Sequence, residues 1–465
     1  MAGGCEEGTG PGVSTVNVVQ ATLRDTVRAI HPLAVVVRGR NGMWASHVEV
    51  RFQTTAAGGG IFVERANDSV FRYFVVDTTD ALGRARVRTL NGYIAGAAGL
   101  VISVAALQSV DTVRFIVDPG KPAAVRVAPP DTAVFASREF TLRPQTIDRY
   151  DNPIENLSFQ FSRATGPVTV NAAGTVSTTA VGRAAVVVQA FGLTDTAYVS
   201  VVPEAWVATQ KFDAGNGGPE GIFLMQLDGS GRDSLTQGID NSFIPHGFGW
   251  SPDGQHLALA RGNTIYLLPP GGTEQPVVTM SAALNEAARF SRDGQWIYFA
   301  LGGGTGLYRV HPDGAGLQHI GDDTTHFGGD YFASPSHDGL SVAYSSSRGF
   351  CYSNPCIRIL DLATNQDRVY GAQDYLVHGT MAAWSPVEDL IAYGAAREVR
   401  LIRSDGSPAG LVASDAGQVK WLDWSPDGRW LIVAADFGVA LFDIKNGVRL
   451  PLAQFGSYSA TIWRP

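Results

Sequence analysis

Charged side chains and cysteine are scarce in this chain, and long apolar stretches are missing. Charged residues make up only 17% of 465 residues and the formal charge is −8, so no nucleic acid partner is expected. The longest apolar run, residues 94–107, is too short to cross a bilayer as a helix, and its Gly and Ala content favours two adjoining strands. A signal-peptide hydrophobic region is also missing.

Several enzyme classes lack their motifs here. The sequence contains no Gly-x-Ser-x-Gly elbow, phosphate loop, dinucleotide fingerprint or His-Glu-x-x-His pair. We therefore expect a protein that is not an enzyme and carries no cofactor. Abundant Gly, Val, Thr and Ala without a helical period predict an all-β chain.

A short motif, Trp-Ser-Pro-Asp-Gly in its complete form, recurs through the second half of the chain. Its complete or partial copies begin at Trp250, Phe290, Pro335, Trp384, Trp424 and Trp463. Successive copies start 40, 45, 49, 40 and 39 residues apart, a period typical of repeats with one four-stranded sheet per unit. The aromatic residue suits packing between sheets, and Asp-Gly suits a turn with a positive φ. This pattern predicts a β-propeller.

Six segments predict a further strand in each unit, and so six blades. They are residues 221–227, 264–268, 306–310, 356–362, 398–403 and 438–444. The first unit begins near Trp206 without a motif copy before it, whereas residues 457–465 contain a copy with nothing after it. We expect this last segment to complete the first blade, which removes an open sheet edge.

The motif, the apolar strand after it and the following strand ending in Asp-Gly resemble the TolB-type six-bladed propeller repeats. The resemblance covers about residues 206–465, within a predicted propeller domain at residues 204–465. It implies a propeller fold, and in that family such propellers mostly bind proteins, although some relatives carry enzymes.

Short Val-rich strands fill the first half and predict two β-sandwiches in tandem, at residues 13–118 and 119–203. The stretch from Asp80 to Gly83 and the strand after it resemble the invasin/intimin type of bacterial Ig-like domain. Residues 170–201 are similar to the end of another bacterial Ig-like family, with Asp151-Asn152-Pro153 as a turn. The predicted order is a tail at residues 1–12, two Ig-like domains and the propeller.

Three cysteines suggest a location outside the cytoplasm. Cys351 and Cys356 flank a turn sequence and suit a disulfide, with a metal-binding pair as the alternative. Small residues before Cys5 resemble the processing site of a bacterial lipoprotein, although Ala2 stands where that pattern has Leu. Cys5 is thus either a lipidation site or an exposed thiol. We expect the periplasm or the cell surface of a bacterium.

Polar residues precede several motif copies, where propeller strands line the central channel. They are His246, Glu286, His326, Asp330, His378, Lys420 and Ser459. One interpretation is an ordinary polar channel. The other is a metal-assisted lyase or hydrolase, with the three histidines as ligands and Glu286 or Asp330 as base.

Aromatic residues concentrate in longer segments between the third and fifth units. They are Phe327, Tyr331, Phe332, Phe350, Tyr352, Tyr370 and Tyr375. Such residues on extended loops suit a protein interface, and packing beneath their own loops is the alternative. We predict a non-catalytic protein-binding scaffold, either an accessory subunit on the periplasmic side of a membrane complex or an adhesin-like envelope protein.

Overall fold

The computed structural model of the chain describes residues 13–18, 22–39, 42–55, 60–66, 68–105, 110–213, 218–236, 247–282, 284–301, 306–321, 329–348, 351, 355–370, 380–455 and 458–465. These residues form no α-helix, and Ala453–Phe455 form a 3-10 helix. Within these ranges, no helix has the length and apolar character needed to cross a membrane. The chain is therefore all-β in its described parts.

Two compact units divide the chain. One comprises Met1–Ala128, Arg143–Phe161 and Val187–Thr196, and the other comprises Pro129–Leu142, Ser162–Val186 and Ala197–Pro465.

The first unit begins with nine strands in two sheets. The strands are β1 (Val13–Val18), β2 (Thr22–Thr26), β3 (Ile30–Gly39), β4 (Glu49–Thr54), β5 (Ile61–Arg65), β6 (Phe74–Thr78), β7 (Arg84–Asn91), β8 (Gly96–Val104) and β9 (Val110–Asp118). The sheet orders are β1-β3-β7-β5 and β2-β9-β8-β4-β6. Val35, Val37, Phe52 and Phe115 belong to one buried cluster of this unit. The alternation of buried and exposed residues along β4 shows why the Val-rich pattern predicted strands.

The turn at Asp80 and the apolar run at residues 94–107 both carried a prediction from the sequence. The turn before β7 has the predicted form, because the Gly83 N–H donates to the Asp80 carbonyl and the Asp80 carboxylate accepts from the Leu82 and Arg84 N–H groups. The prediction of two strands within residues 94–107 was wrong. A single strand, β8, occupies Gly96–Val104 because it pairs with β4 on one side and β9 on the other.

Ten further strands follow. They are β10 (Pro122–Ala128), β11 (Asp131–Phe135), β12 (Glu139–Thr141), β13 (Arg143–Asp148), β14 (Pro153–Ile154), β15 (Gln160–Thr165), β16 (Val168–Val170), β17 (Thr175–Thr178), β18 (Gly182–Ala190) and β19 (Leu193–Val202). In the first unit, β10, β13 and β14 form a sheet, and β13 joins β14 through the predicted turn at Asp151. In the second unit, β12, β17 and β16 form another sheet, and β11 runs parallel to the end of β19.

The remaining described strands form six four-stranded sheets, all in the second unit. The strands are β20 (Trp206–Asp213), β21 (Gly218–Gln226), β22 (Asp233–Ser234), β23 (Phe248–Trp250), β24 (Leu257–Arg261), β25 (Thr264–Leu268), β26 (Gln275–Thr279), β27 (Leu284–Phe290), β28 (Ile297–Leu301), β29 (Leu307–Val310), β30 (Gln318–Ile320), β31 (Asp330–Pro335), β32 (Ser341–Ser346), β33 (Cys356–Asp361), β34 (Gln366–Tyr370), β35 (Thr380–Trp384), β36 (Ile391–Ala395), β37 (Glu398–Ile402), β38 (Pro408–Ala413), β39 (Val419–Trp424), β40 (Trp430–Ala435), β41 (Gly438–Asp443), β42 (Val448–Pro451) and β43 (Tyr458–Trp463).

These sheets are arranged in a ring. Strands β23, β27, β31, β35, β39 and β43 each contact the next, and β43 contacts β23. The first sheet has the order β22-β21-β20-β43, so the end of the chain supplies its fourth strand as expected. We number the sheets one to six from this sheet onward.

The motif builds the same turn in four of these sheets. In the copy at Trp424, the Ser425 hydroxyl donates to the Asp427 carboxylate at 2.5 Å and accepts the Trp430 N–H at 2.8 Å. Ser251, Ser291 and Ser336 make the corresponding pairs of bonds. The motif glycine in each turn has a positive φ, 68° at Gly428, which glycine adopts at little cost. The copy at Trp384 lacks the aspartate, and the hydroxyl of its Ser385 accepts from the Val387 and Glu388 N–H groups instead.

Candidate functional site

A cavity of about 360 Å³ lies where the motif copies converge, and we call it the mouth pocket. Every motif copy contributes its first and its third residue to the lining. The first residues are Trp250, Phe290, Pro335, Trp384, Trp424 and Trp463, and the third residues are Pro252, Arg292, His337, Pro386, Pro426 and Pro465. The tryptophans are buried, whereas Pro252, Arg292 and Pro426 are exposed, so the third residues form the rim.

Side chains from the second, third, fourth and sixth sheets meet at the centre of the ring, and we call them the hub cluster: Phe248, Arg289, Phe332, Trp421 and Asp423. Arg289 of β27 bonds Asp423 of β39 at 2.5 Å, with side chains only 17% and 13% exposed. Because β27 and β39 belong to the third and sixth sheets, this ion pair crosses the ring. Arg289 and Asp423 also line the mouth pocket, so the pair forms part of its floor.

Aromatic rings complete the hub cluster. The Trp421 ring stacks on Phe248 of the second sheet with centroids 6.3 Å apart, and Phe332 of the fourth sheet meets it edge-on at 5.9 Å. The Arg289 guanidinium lies 5.3 Å from the same indole. Trp421 is 2% exposed and Phe248 is fully buried. Side chains therefore fill the centre of the ring at this level.

Irregular pairing between strands helps to bring these side chains to the hub, as β31 of the fourth sheet shows. The register of β31 shifts between Tyr331 and Ser334, and Phe332 there has a φ of 56°. A bulge of this kind re-aims a side chain out of the regular alternation. Gly249 permits close approach of β23 and β27, because a Cβ at that position would lie 2.6 Å from the Ala288 carbonyl oxygen.

Acidic turns surround the mouth pocket. The hydroxyl of Ser251 donates to Asp253, and that hydrogen bond holds the pKa of the Asp253 carboxyl below its ordinary value. Ser291 lowers the pKa of Asp293 in the same way. These carboxylates are committed to their own turns, so they stabilise the rim rather than offer free ligands.

Asp330 does not serve as a base facing the channel, contrary to one interpretation of the sequence. Its carboxyl is fully buried and bonds the Arg348 Nε at 2.8 Å, and burial raises its pKa although Arg348 lies beside it. Arg348 also donates to the Tyr344 hydroxyl, which in turn donates to Asp367 at 2.8 Å. The network holds the strands of the fourth sheet together. Lys420, another member of the predicted polar ring, lies 3.9 Å from Asp436 and is 47% exposed.

The predicted metal ligands His246, His326 and His378 lie outside the described residues. The side chains of Glu286 and Ser459 also lie outside them, although both residues belong to strands. Among the side chains that are described, no group of three or more His, Cys, Asp or Glu residues has the arrangement of a metal site.

Two of the predicted interface aromatics lie in a strand rather than in a loop. Tyr331 and Phe332 belong to β31 and are half-buried, and Phe332 packs in the hub cluster, so its assignment to a protein-binding loop was wrong. Tyr370 ends β34, and its side chain is not among those described. The other candidates lie outside the described residues: Phe327, Phe350, Tyr352 and Tyr375.

Of the cysteines, Cys351 and Cys356 are joined by a disulfide, and Cys5 lies outside the described residues. The Cys351 N–H donates to the Arg348 carbonyl, so the bridge lies next to the buried network of the fourth sheet.

Apolar side chains are exposed near the motif turns of the fourth and fifth sheets. Leu340 follows the motif glycine of the fourth sheet and is 62% exposed, and Val387 in the turn of the fifth sheet is 41% exposed. They lie at the end of the sheets where the mouth pocket opens. Single exposed apolar residues are common on protein surfaces, so these two are candidates for contact with a partner because they lie beside the mouth pocket.

Sequence reasoning missed Arg289, Asp423 and Trp421, which define the hub, and the mouth pocket itself. A signal was present at the rim, because Arg292 and His337 replace the motif proline in two adjacent sheets. Contacts across the ring leave no such periodic trace, since they join residues of different repeats.

Comparisons with known proteins bear on the fold. Residues 382–462 match the anaphase-promoting complex subunit 4 WD40 domain family. The comparison with curated proteins finds no match. Similar solved structures include one of a nidogen/laminin complex, with 11% identity, a TM-score of 0.44, and coverage of 56% of this chain and 98% of that one. Another is hydrazine synthase of Kuenenia stuttgartiensis, with 13% identity, a TM-score of 0.36, and coverage of 49% and 74%.

The matched segment starts in β35 and ends in β43, so it includes all of the sixth sheet and the strand that completes the first. WD40 repeats are four-stranded propeller blades. The family match agrees with the ring of four-stranded sheets, and the second unit of the chain carries a β-propeller fold.

Proposed function

We propose that the chain is a non-catalytic scaffold that binds a partner protein through its propeller. In this proposal it lies outside the cytoplasm of a bacterium and docks, as an accessory subunit, on the periplasmic side of a membrane complex. The propeller is six-bladed and of the TolB type, at residues 204–465, and two Ig-like domains at residues 13–118 and 119–203 precede it. Lipid on Cys5 tethers the chain.

The hub cluster is the observation that carries this proposal. Residues that converge at the centre of a propeller are the usual candidates for a reactive site, and here Arg289, Asp423 and Trp421 bond or pack against each other. The Asp423 carboxylate has a partner on each oxygen, because it accepts from Arg289 at 2.5 Å and from the Trp463 N–H at 3.1 Å. The faces of the ring are therefore the proposed working surface.

The mouth face supports binding of a protein. It combines a pocket, a rim rich in proline, and the exposed side chains of Leu340 and Val387. Interfaces concentrate their affinity in apolar anchors and pockets surrounded by polar residues. The acidic turns around this mouth supply such a polar margin.

Co-purification of the full chain from gently solubilised membranes tests the proposal. We expect a stable stoichiometric partner for the unaltered chain and its loss in a Leu340→Asp, Val387→Asp double variant. Leu411→Asp is the matched control, because Leu411 is 55% exposed but belongs to the outer strand β38. Loss of the partner in the control, or retention in the double variant, argues against docking at the mouth face.

The alternatives give different results in the same preparation. Accessibility of the chain to protease on intact cells indicates an adhesin-like envelope protein. Stoichiometric metal that disappears in His326→Ala supports a metal-assisted enzyme instead. A Phe327→Ser, Tyr375→Ser variant that loses the partner, while the mouth variant keeps it, indicates an interface at these aromatic residues instead.

A further inference from the structure

The polar groups of the mouth pocket are unevenly divided between hydrogen-bond donors and acceptors. The Asp423 carboxylate is the acidic group of the lining, and both of its oxygens are engaged, by Arg289 and by the Trp463 N–H. The Ser336 hydroxyl is likewise engaged, because it donates to Asp338 and accepts the Ser341 N–H. The Asp423 and Ser336 side chains thus already have hydrogen-bond partners within the protein.

Several donors of the pocket lack such partners within the described part of the chain. Arg289 bonds Asp423 through Nη1, and among the described residues its Nε and Nη2 have no hydrogen-bond partner. Arg292 on the rim has none within the same ranges, and it is exposed. The Ser334 hydroxyl accepts the Trp384 N–H at 2.9 Å, which leaves its own proton to donate.

His337 adds a further polar group, since its buried Nδ1 has no partner among the described atoms. All of these side chains come from the adjacent third and fourth sheets, whereas the other sheets contribute mainly proline and indole, together with Ile462 and the Asp423 carboxylate that Arg289 pairs. One side of the pocket is therefore rich in donors and carries the exposed Arg292, and the other side is mostly apolar.

We infer that the mouth pocket binds a carboxylate carried on an apolar group. A carboxylate is acceptor-only and takes several N–H bonds at once, and arginine is the side chain best suited to it. The apolar body of the ligand packs on Pro386, Pro426 and the indoles. A cavity of about 360 Å³ lies within the range of small-ligand sites. Either a free carboxylic acid or the C-terminus of a polypeptide has this chemistry.

This inference rests on the proposed function, because the pocket lies within the proposed docking face. It adds that the partner, or a small ligand that competes with the partner, carries a carboxylate on an apolar group.

Calorimetric titration of the full chain distinguishes these possibilities with two probe pairs. One pair is phenylacetate and its neutral amide, and the other is a tetrapeptide ending in phenylalanine, with a free or an amidated C-terminus. We expect at least one acid to bind saturably and its amide to bind at least tenfold more weakly, since one charged hydrogen bond contributes about that factor. Binding of phenylacetate indicates a free acid, and binding of the peptide acid alone indicates a polypeptide terminus.

Arg292→Gln removes a rim donor without touching the hub cluster, and we expect it to weaken acid binding about tenfold. Arg397→Gln, at another exposed arginine outside the pocket, leaves binding unchanged. Equal binding of acid and amide, no binding of either acid, or an unaffected Arg292→Gln variant overturns the inference. If partner docking still depends on Leu340 and Val387 in that case, the proposed function stands without it.

Discussion

The ion pair across the hub permits a quantitative test of how the ring is held together. Arg289 and Asp423 lie on opposite sheets, 2.5 Å apart and mostly buried. Removing one partner leaves the other charge largely desolvated, which costs about 3 kcal/mol at the lower end for buried pairs. We therefore expect Arg289→Met and Asp423→Asn each to lower the free energy of unfolding by about 3 kcal/mol.

The double variant has no unpaired charge, and it should cost about 4 kcal/mol rather than the sum of about 6. The difference, about 2 kcal/mol, is the coupling energy of a charged hydrogen bond. Methionine retains the apolar stem over Trp421, and asparagine retains an acceptor for the Trp463 N–H. The cycle thus isolates the charge pairing.

Urea unfolding followed by tryptophan fluorescence measures all four corners of the cycle. Asp415→Asn is the control, because Asp415 pairs with Arg449 at 3.0 Å but is 67% exposed, and its loss should cost at most about 0.5 kcal/mol. Additive single variants, with a coupling energy under about 0.5 kcal/mol, would refute a tie across the ring.

Two substitutions and one deletion test the motif turn, the close packing of β23 on β27, and the closure of the first sheet by β43. Ser291→Ala removes a donor to Asp293 and an acceptor for the Trp296 N–H, and should cost about 1–2 kcal/mol in thermal unfolding. Ser291 lowers the pKa of Asp293 in the folded protein. The stability that this carboxylate contributes is therefore present above its ordinary pKa and is lost as the pH falls through the lowered pKa of the folded state. Without the hydroxyl this contribution is smaller, so acid should destabilise the Ser291→Ala variant less steeply than the original protein. Gly249→Ala forces a Cβ against the Ala288 carbonyl and should cost about 1–3 kcal/mol in urea unfolding. Deletion of residues 457–465 removes β43 and should abolish cooperative unfolding of the propeller in calorimetry.

Each of these predictions has a contrary result. A Ser291→Ala variant with an unchanged acid profile shows that the hydroxyl does not tune Asp293. A Gly249→Ala protein as stable as the original shows that β23 and β27 can move apart. A truncated chain that melts like the complete one shows that the first sheet does not need its fourth strand.

The repeating parts of the fold were predictable because they leave a periodic trace. The sequence predicts an apolar strand after the motif, and after the copy at Trp424 this strand is β40, Trp430–Ala435. The next strand was expected at residues 438–444, and β41 spans Gly438–Asp443. Local rules sufficed there, since an apolar run between two turn signals suits a buried strand.

The site was less predictable, because it depends on departures from the repeat. Phe332 was assigned to a loop, yet a register shift and a positive φ place it on Trp421. Asp330 was a candidate base, yet Arg348, eighteen residues later, neutralises it within the same sheet. Neither a bulge nor a pairing between repeats follows from composition or spacing, since both are set by packing at the hub.

Asp423 also has a mechanical consequence. Its two oxygens bond Arg289 on the far side of the ring and the backbone N–H of Trp463 in the closing strand. The closing strand is thus held to the sixth sheet by a side-chain hydrogen bond as well as to β20 by backbone pairing. Peeling β43 away breaks both sets of bonds and removes one of the two contacts that fix the carboxylate paired with Arg289.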